Sequence, residues 1–205
     1  MTGLDYAARN LAGAWRMAWD MSGWEETLDR SVDGVFRSFW ALAAAAPFSV
    51  LSFASLRRAA DRISDFPEPP LLEAPFLLIM AAELVGLFVD WGISLFALVM
   101  IARALSAHKN VAALIVGYNW SQIYAIAVLT APVTAMGLTA STSLAAALYM
   151  PAVAFAIAIL AGVLRRALPL NIGMTIATIV LLTLVGVIVN SAINGFALFV
   201  YQAFS

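Results

Sequence analysis

The sequence predicts an all-α integral membrane protein, a helical bundle with five transmembrane helices. Its 205 residues are 63% hydrophobic and 11% charged, whereas a soluble domain is about 45–50% apolar and about 25% charged. Residues 110–164 and 167–205 contain no Asp, Glu, Lys or Arg, so these two stretches alone leave room for three spans of about 20 residues. We therefore expect amphipathic interfacial helices at 1–37 on the cytoplasmic side, followed by a five-span domain at 38–205.

Composition excludes several classes of function. The chain has no cysteine, which removes disulfides and thiolate chemistry. A net charge of -1 with a pI of about 5.7 lacks the basic face that nucleic-acid binding requires. Ten of the eleven basic residues are Arg, with Lys109 the exception, which together with the abundance of Ala suggests a GC-rich bacterial genome and so a bacterial inner membrane.

The N-terminal segment predicts an amphipathic helix rather than a signal peptide, because charged residues interrupt it. Apolar residues recur there every three or four positions, and polar residues lie off that line. The apolar set is Leu4, Ala8, Leu11, Trp15 and Ala18; the polar set is Asp5, Arg9, Asn10 and Arg16. We interpret this helix as lying on the membrane surface, and the alternative is a helix packed onto the protein's own spans through the same residues.

A second helix is predicted near Gly23, because Ser22 followed by Glu25 fits a capping box. Its early part is polar and amphipathic and leads into the first span. Trp15, Trp19 and Trp24 are residue types that suit a headgroup boundary, so they are predicted membrane-surface anchors. These helices are the expected docking surface for membrane lipid or a protein partner.

The apolar stretches predict where the spans begin and end. The first four lie at about 38–56, 76–101, 111–136 and 144–164, and the fifth begins near 170. A proline-rich loop at 57–70 separates the first two, and the second is long enough to need tilt or to protrude. The pattern of the last span allows two interpretations. It is either one long helix, or a span to about Asn190 followed by a short interfacial helix. Ala154, Ala158 and Gly162 form a small-residue stripe that predicts close helix packing.

The distribution of basic residues predicts the orientation. With five spans, the side that holds the N-terminus carries eight basic residues and the opposite side carries three. Positive residues concentrate on the cytoplasmic side, so we expect a cytoplasmic N-terminus and a C-terminus outside. The eight are Arg9, Arg16, Arg30, Arg37, Arg103, Lys109, Arg165 and Arg166; the three are Arg57, Arg58 and Arg62.

Two carboxylates stand inside the second apolar stretch. Glu83 and Asp90 are seven residues apart, which on a helix is two turns less about 20°, so both point along one face. Asp90 and Gln122 each lie 13 residues from a basic boundary residue, about 20 Å deep at 1.5 Å per residue. They are therefore expected to meet, with Asn119 joining them, while Glu83 lies toward the outer leaflet, within reach of Asn190 or Asn194 of the last span. The predicted intramembrane polar cluster is Glu83, Asp90, Asn119, Ser121, Gln122, Asn190 and Asn194.

This cluster has two interpretations. In the first, it is a proton or cation relay or a polar substrate cavity, because an ionisable residue at membrane depth often marks a transport pathway. In the second, a buried acid bonds to an amide and fixes the positions of the helices, and the lack of any basic residue within the spans favours this structural role. One histidine, His108, and no cysteine cannot assemble a usual zinc site. We expect no metal, no cofactor and no catalytic residues.

A basic turn after the second span leads into a small residue followed by an aromatic one, here His108 to Asn110 and then Gly117-Tyr118. With a cytoplasmic leader and five closely spaced spans, this layout resembles the Yip1 family of multispanning membrane proteins over about residues 37–201. Asp90-Trp91-Gly92 is loosely similar to an acidic-aromatic-glycine element of that family, although it stands in the second span rather than at the first.

The sequence departs from the family where a proline often follows the aromatic residue. Asn119 to Gln122 stand there instead, and the proline comes only at Pro132. The resemblance implies a non-enzymatic membrane protein of bacterial type whose eukaryotic relatives act in vesicle trafficking, and it transfers no catalytic residue. We therefore expect a structural or partner-binding membrane component that binds membrane lipid and a protein partner or a second copy of itself. The alternative is a small transporter or channel that uses Asp90 and Glu83.

Overall fold

A computed structural model describes residues 2–64 and 74–204 of the chain. These residues are almost entirely helical and contain no strand. Five of the helices are long and apolar enough to cross a membrane, so the fold is the predicted five-span bundle. The helices are α1 Gly3–Ala18, α2 Trp24–Thr27, α3 Val32–Ser38, α4 Trp40–Ala60, α5 Phe76–Ala104, α6 Val111–Thr139, α7 Thr142–Ala167 and α8 Ile172–Phe204.

The observed spans are longer than the apolar stretches that predicted them. Helix α4 continues through Arg57 and Arg58 to Ala60, because nothing in these residues breaks a helix. Helix α8 is a single element of 33 residues, which decides between the two interpretations of the last span in favour of one long helix. Part of the predicted loop at 57–70, residues 65–70, lies outside the described residues.

The predicted capping box at Ser22 and Glu25 is wrong. Helix α2 is a single turn that begins after Gly23, whose φ is 81°, and no side chain caps it. The capped helices are α1 and α3. Thr2 and Asp5 bond reciprocally to each other's backbone N–H groups at 2.9 and 3.2 Å, and the Ser31 hydroxyl accepts from the Gly34 N–H at 2.9 Å. These caps divide residues 2–38 into three short helices, because each satisfies backbone donors that a continuous helix would bond internally.

Helix α6 is the centre of the bundle. Half of its most apolar stretch is buried inside the protein, against 28% for each of the other four spans. It packs along α4 and α7, and α4 runs parallel to it. Ser38 lies beside Asn119, Phe48 beside Thr130 and Ser55 beside Gly137. Near the end of α6, Arg62 donates to the carbonyls of Gly137 and Leu138 at 3.0 and 2.8 Å, which satisfies acceptors that a helix end leaves open.

Helices α5 and α8 form an antiparallel pair beside this centre. Helix α5 packs chiefly on α8 and touches α4 and α6 less extensively. Asn190 of α8 lies beside Gly86, and Gly186 lies beside Asp90, so residue numbers rise in opposite directions along the contact. The outer faces of both helices carry exposed large apolar side chains such as Phe88, Phe96, Leu184, Phe196 and Phe199, as lipid-facing helices require.

Helix α1 packs into the bundle against α6 and α7. Its buried face consists of Tyr6, Asn10, Gly13, Ala14, Met17 and Ala18, which differs from the predicted apolar set, since Leu4 and Ala8 are exposed. The alternative interpretation, a helix packed on the protein's own spans, describes this face of α1. Its C-terminal end is held by a salt bridge of 2.8 Å between Asp20 and Arg166.

Glycines permit this close docking. A Cβ at Gly162 would overlap the carbonyl of Ala18, and one at Gly117 would lie 2.6 Å from the Met17 sulfur. In the predicted small-residue stripe, Gly162 makes this contact, whereas Ala158 is half-buried and Ala154 is exposed. The stripe is therefore not one continuous packing face. Only its last member receives a backbone at contact distance, from Ala18 of α1.

We expect Gly162→Ala to detach α1 from α7. The added methyl group meets backbone atoms of Ala18 that cannot rotate away, and overpacking of this kind costs about 1–3 kcal/mol. Thermal unfolding in detergent should show a lower midpoint, and limited proteolysis should cut near α1 more readily. Gly92→Ala is the control, because a Cβ at Gly92 has nothing within 4 Å. Equal stability of the two variants would contradict the docked position of α1.

Candidate functional site

Asn119 of α6 is bonded to polar side chains of two other helices. Its side-chain oxygen accepts a hydrogen bond of 2.7 Å from the Trp91 indole N–H, and its side-chain nitrogen donates to the Ser38 hydroxyl at 2.7 Å. The Ser38 hydroxyl in turn donates to the Val35 carbonyl at 2.6 Å. Asn119 is 0% exposed, and an amide in such a place must be bonded because water does not reach it. We call Asn119, Trp91 and Ser38 the amide knot; it joins α6 to α5 and to the end of α3.

The structure corrects the predicted partner of Asp90. No hydrogen bond joins Asp90 to Asn119 or Gln122 among the described residues; instead Asp90 faces Gly186 of α8, where a Cβ would lie 3.4 Å from its Oδ1. That oxygen is buried and has no hydrogen-bond partner in the described part of the chain. Gln122 is half-buried. The Ser121 hydroxyl is buried and bonds to the Tyr118 carbonyl of its own helix at 2.8 Å, so it is not open to a substrate.

Glu83 faces a different group of helices. It lines a cavity of about 310 Å³ between α4, α5 and α6, together with Ser49, Ser52 and Thr130. The predicted contact with Asn190 or Asn194 of α8 is not made: Asn190 donates to the Gly186 carbonyl of its own helix at 2.9 Å, and both asparagines belong to the helix on the other side of α5. The spacing of seven positions thus places the two acids on one helical face but against different neighbours.

Two of the predicted surface tryptophans belong to an aromatic cluster on α7 and α6. The Trp15 ring lies 5.3 Å from Tyr124 and 6.0 Å from Phe155, measured between centroids, and the Tyr124 hydroxyl donates to the Leu11 carbonyl at 3.1 Å. Trp19 packs on Trp15 and Phe155 and is exposed on its other side. These residues therefore hold α1 in place.

Trp24 lies apart from that cluster, at the start of α2. The Arg30 guanidinium lies over its ring at 5.9 Å from the centroid, and the residue is half-buried. A cation over an indole face is attracted by the ring quadrupole, so this pair fixes the turn between α2 and α3 against the rest of the N-terminal helices.

His108 is exposed on a short turn between α5 and α6. With Lys109, Arg165 and Arg166 it lines a shallow basic cavity of about 590 Å³ between the α5–α6 and α7–α8 connections. Among the described residues, no group of three or more His, Asp or Glu side chains is arranged to hold a metal ion. The chemistry available at this end of the bundle is therefore attraction of anions.

Several residues of the site were not singled out by sequence reasoning. Trp91 stands next to Asp90 and Ser38 opens the first span, but neither carries a pattern that identifies its partner. Asn10 seemed to lie on the polar face of α1, yet it is 0% exposed; it donates to the Tyr6 carbonyl and accepts from the Asp29 N–H, both at 2.9 Å. The sequence alone does not show that such an asparagine is buried, because its two hydrogen-bond partners are known only from the structure.

Ionisation helps to hold the N-terminal helices together. Hydrogen bonds from Ser31 hold the pKa of Asp29 below its usual range, so its carboxylate stays charged and fixes the start of α3. Burial raises the pKa of Tyr6 to about 12, which keeps the phenol protonated at neutral pH and able to donate to the Gly34 carbonyl. These groups stabilise structure at neutral pH and do not exchange protons there.

No protein-family model, no curated protein and no solved structure matches the chain.

We expect Asn119→Ala to destabilise the bundle more than any other asparagine substitution in the spans. It leaves the buried Trp91 N–H without its acceptor, and each buried polar group left unpaired costs about 1–3 kcal/mol. The midpoint of thermal unfolding in detergent measures the loss. Asn190→Ala is the matched control, because Asn190 is exposed and bonds only within its own helix. If both variants unfold at the same temperature, the amide knot does not hold the helices together.

Proposed function

We propose that the chain is a structural or partner-binding component of a bacterial inner membrane rather than a catalyst. The observation that carries this proposal is the amide knot, in which the most deeply buried polar side chain of the spans is bonded at both ends to the protein itself. A group that is to bind a substrate must be open to it, whereas Asn119 is 0% exposed, and its oxygen and its nitrogen each bond to another helix.

The distribution of the acids supports the same proposal. Glu83 lines the cavity between α4, α5 and α6, and Asp90 is not among the residues that line it. A proton or cation relay needs successive polar groups within reach of one another, and here α5 directs its two acids toward different helices. Two separated carboxylates are too few for a coupled transport cycle.

The orientation and the family belong to this proposal as well. The excess of basic residues beside the N-terminal helices supports a cytoplasmic N-terminus and a C-terminus outside. The layout that resembles the Yip1 family supports a non-enzymatic role, since members of that family carry no catalytic residues. A reporter fused after Ser205 tests the orientation: activity restricted to the cytoplasm would contradict it.

The turn between α1 and α2 is the surface that suits a protein partner. Met21 is 48% exposed and lies beside the exposed carboxylates of Glu25 and Glu26 around a shallow cavity of about 350 Å³. Apolar and acidic side chains together favour a partner segment that is basic and amphipathic. This surface is fixed to the bundle by the Asp20–Arg166 salt bridge, so it is presented in one orientation.

Isolation of the tagged chain in mild detergent tests partner binding. We expect a stoichiometric protein partner that is lost when Met21→Ser is combined with Glu26→Lys, because both the apolar contact and the charge attraction are removed. Leu4→Ser combined with Asp61→Lys is the matched control: it makes the same chemical changes at exposed positions away from this turn. Recovery of the chain alone, or as copies of itself only, would contradict the partner-binding role.

A small transporter or channel is the second candidate, and one observation favours it. The Asp90 oxygen is buried without a partner in the described part of the chain, and Glu83 faces a cavity lined by hydroxyl groups. Such groups could take up protons or cations in turn.

Asp90→Asn distinguishes the two candidates. For the structural role, we expect normal folding and no change of ion flux in reconstituted vesicles, because Asn is nearly the same size and carries no charge to desolvate. Proton and monovalent-cation flux should be measured beside the melting temperature, with Glu83→Gln as a parallel variant. A flux that is present in the natural protein and lost in either variant would establish the transport role instead.

A further inference from the structure

A second cavity opens where α1 meets the first span. It measures about 490 Å³ and lies between α1, α4 and α6, within the range of about 300–1,000 Å³ that is usual for small-molecule sites. Thr2, Tyr6 and Arg37 form its polar end, where the Trp120 ring lies 6.2 Å from the Tyr6 ring; Trp40, Ala43 and Ala44, which follow Arg37 along the chain, form its apolar end. We call this the α1–α4 cavity.

The polar end offers hydrogen-bond donors that the protein does not fully use. The Arg37 Nε donates to Asp33 at 2.8 Å in an exposed pair, which leaves the two terminal nitrogens of the guanidinium for another acceptor. The Trp120 indole N–H is buried and has no hydrogen-bond acceptor among the described residues, although its residue is only 2% exposed. A buried donor without a partner is unfavourable, and because the Trp120 side chain lines the cavity, a small movement of the lining would let an oxygen atom of a bound molecule satisfy it.

The apolar end lies where the span enters the membrane. After Arg37 no charged residue follows until Arg57, and Trp40 is 70% exposed, as expected of a tryptophan at a headgroup boundary. Ala43 and Ala44 are exposed small residues one turn further into the span. They leave a shallow channel on the surface of α4 that begins at a cation and continues into the hydrocarbon.

A ligand for this cavity must be anionic at one end, must accept hydrogen bonds just below, and must be apolar at the other. We propose that the α1–α4 cavity binds an anionic glycerophospholipid from the leaflet that borders the N-terminal helices. Its phosphate lies on Arg37, an ester carbonyl oxygen accepts from the Trp120 N–H, and one acyl chain follows Ala43 and Ala44. An arginine fork fits a phosphate through paired N–H donors. The site does not depend on whether the chain binds a protein partner.

The competing place for an anionic headgroup is the basic cavity at Lys109 and Arg165. It has more positive charge and includes apolar residues such as Leu105 and Leu168, but its lining has no buried donor without a partner. Attraction there would depend on charge alone, so a headgroup would be held without an ordered acyl chain. Variants of Lys109 therefore separate general charge attraction from binding in the α1–α4 cavity.

Native mass spectrometry tests the proposal. The full chain is purified free of lipid and titrated with phosphatidylglycerol or with phosphatidylcholine of the same chain length. We expect phosphatidylglycerol to be retained preferentially and to raise the melting temperature. Arg37→Gln should weaken its binding about five-fold, the effect of one basic residue at a headgroup, and remove the preference. Ala44→Leu, which fills the apolar end at an exposed position, should weaken binding of both lipids and leave the lipid-free melting temperature unchanged.

Trp120→Phe provides a second test of the proposal. It keeps an aromatic ring against Tyr6 but removes the N–H, so the rise of melting temperature on adding phosphatidylglycerol should shrink, whatever the loss of ring volume costs the lipid-free protein. Lys109→Gln is the matched control for charge and should retain the lipid as the natural protein does. Three results would overturn the proposal: unchanged retention in Arg37→Gln and Ala44→Leu, loss of retention in Lys109→Gln alone, or equal stabilisation by inorganic phosphate.

Discussion

The rest of this structure depends on the need to bond a buried amide where water cannot reach it. In a membrane interior an unpaired polar group costs several kcal/mol, so Asn119 can stand in the most buried span only if neighbouring helices bring it partners. Trp91 and Ser38 do so from two directions. The knot thereby sets the rotation of α5 and the height at which the first span begins, and the other helices pack against that arrangement.

The number, type and approximate limits of the spans could be predicted, because apolar length and charge distribution determine them directly. The choice of partners could not. Asp90 is expected at the level of Gln122, with Asn119 about one turn nearer the cytoplasm, yet Asn119 is bonded by Trp91, and Asp90 is turned toward α8. A rotation of one residue, 100° on a helix, separates these outcomes, and the sequence of one helix does not contain the position of its neighbours.

The position of the N-terminal helix α1 could not be predicted for the same reason. A periodic pattern indicates that α1 has one apolar and one polar face. It does not show whether the apolar face lies in membrane lipid or in a protein groove, because both accept an apolar face and neither fixes which residues form its edges. The informative residues were the small ones on the opposing helices, Gly117 and Gly162, which receive Met17 and the backbone of Ala18. In the sequence Gly162 ends a small-residue stripe and Gly117 precedes an aromatic residue, but neither pattern names the partner, because small residues are frequent in membrane helices for many reasons.

The packing of α5 has a consequence for how the molecule is made. Its main partner is α8, which follows it only after α6 and α7, whereas α6 packs chiefly on α7 and α4. During synthesis α4, α6 and α7 can associate as soon as each is inserted, but the Asp90 face of α5 stays uncovered until α8 is inserted. The Asp90 carboxyl group is thus exposed to lipid or to the insertion machinery while α6 and α7 are made, and chains that stop before α8 would carry it unshielded.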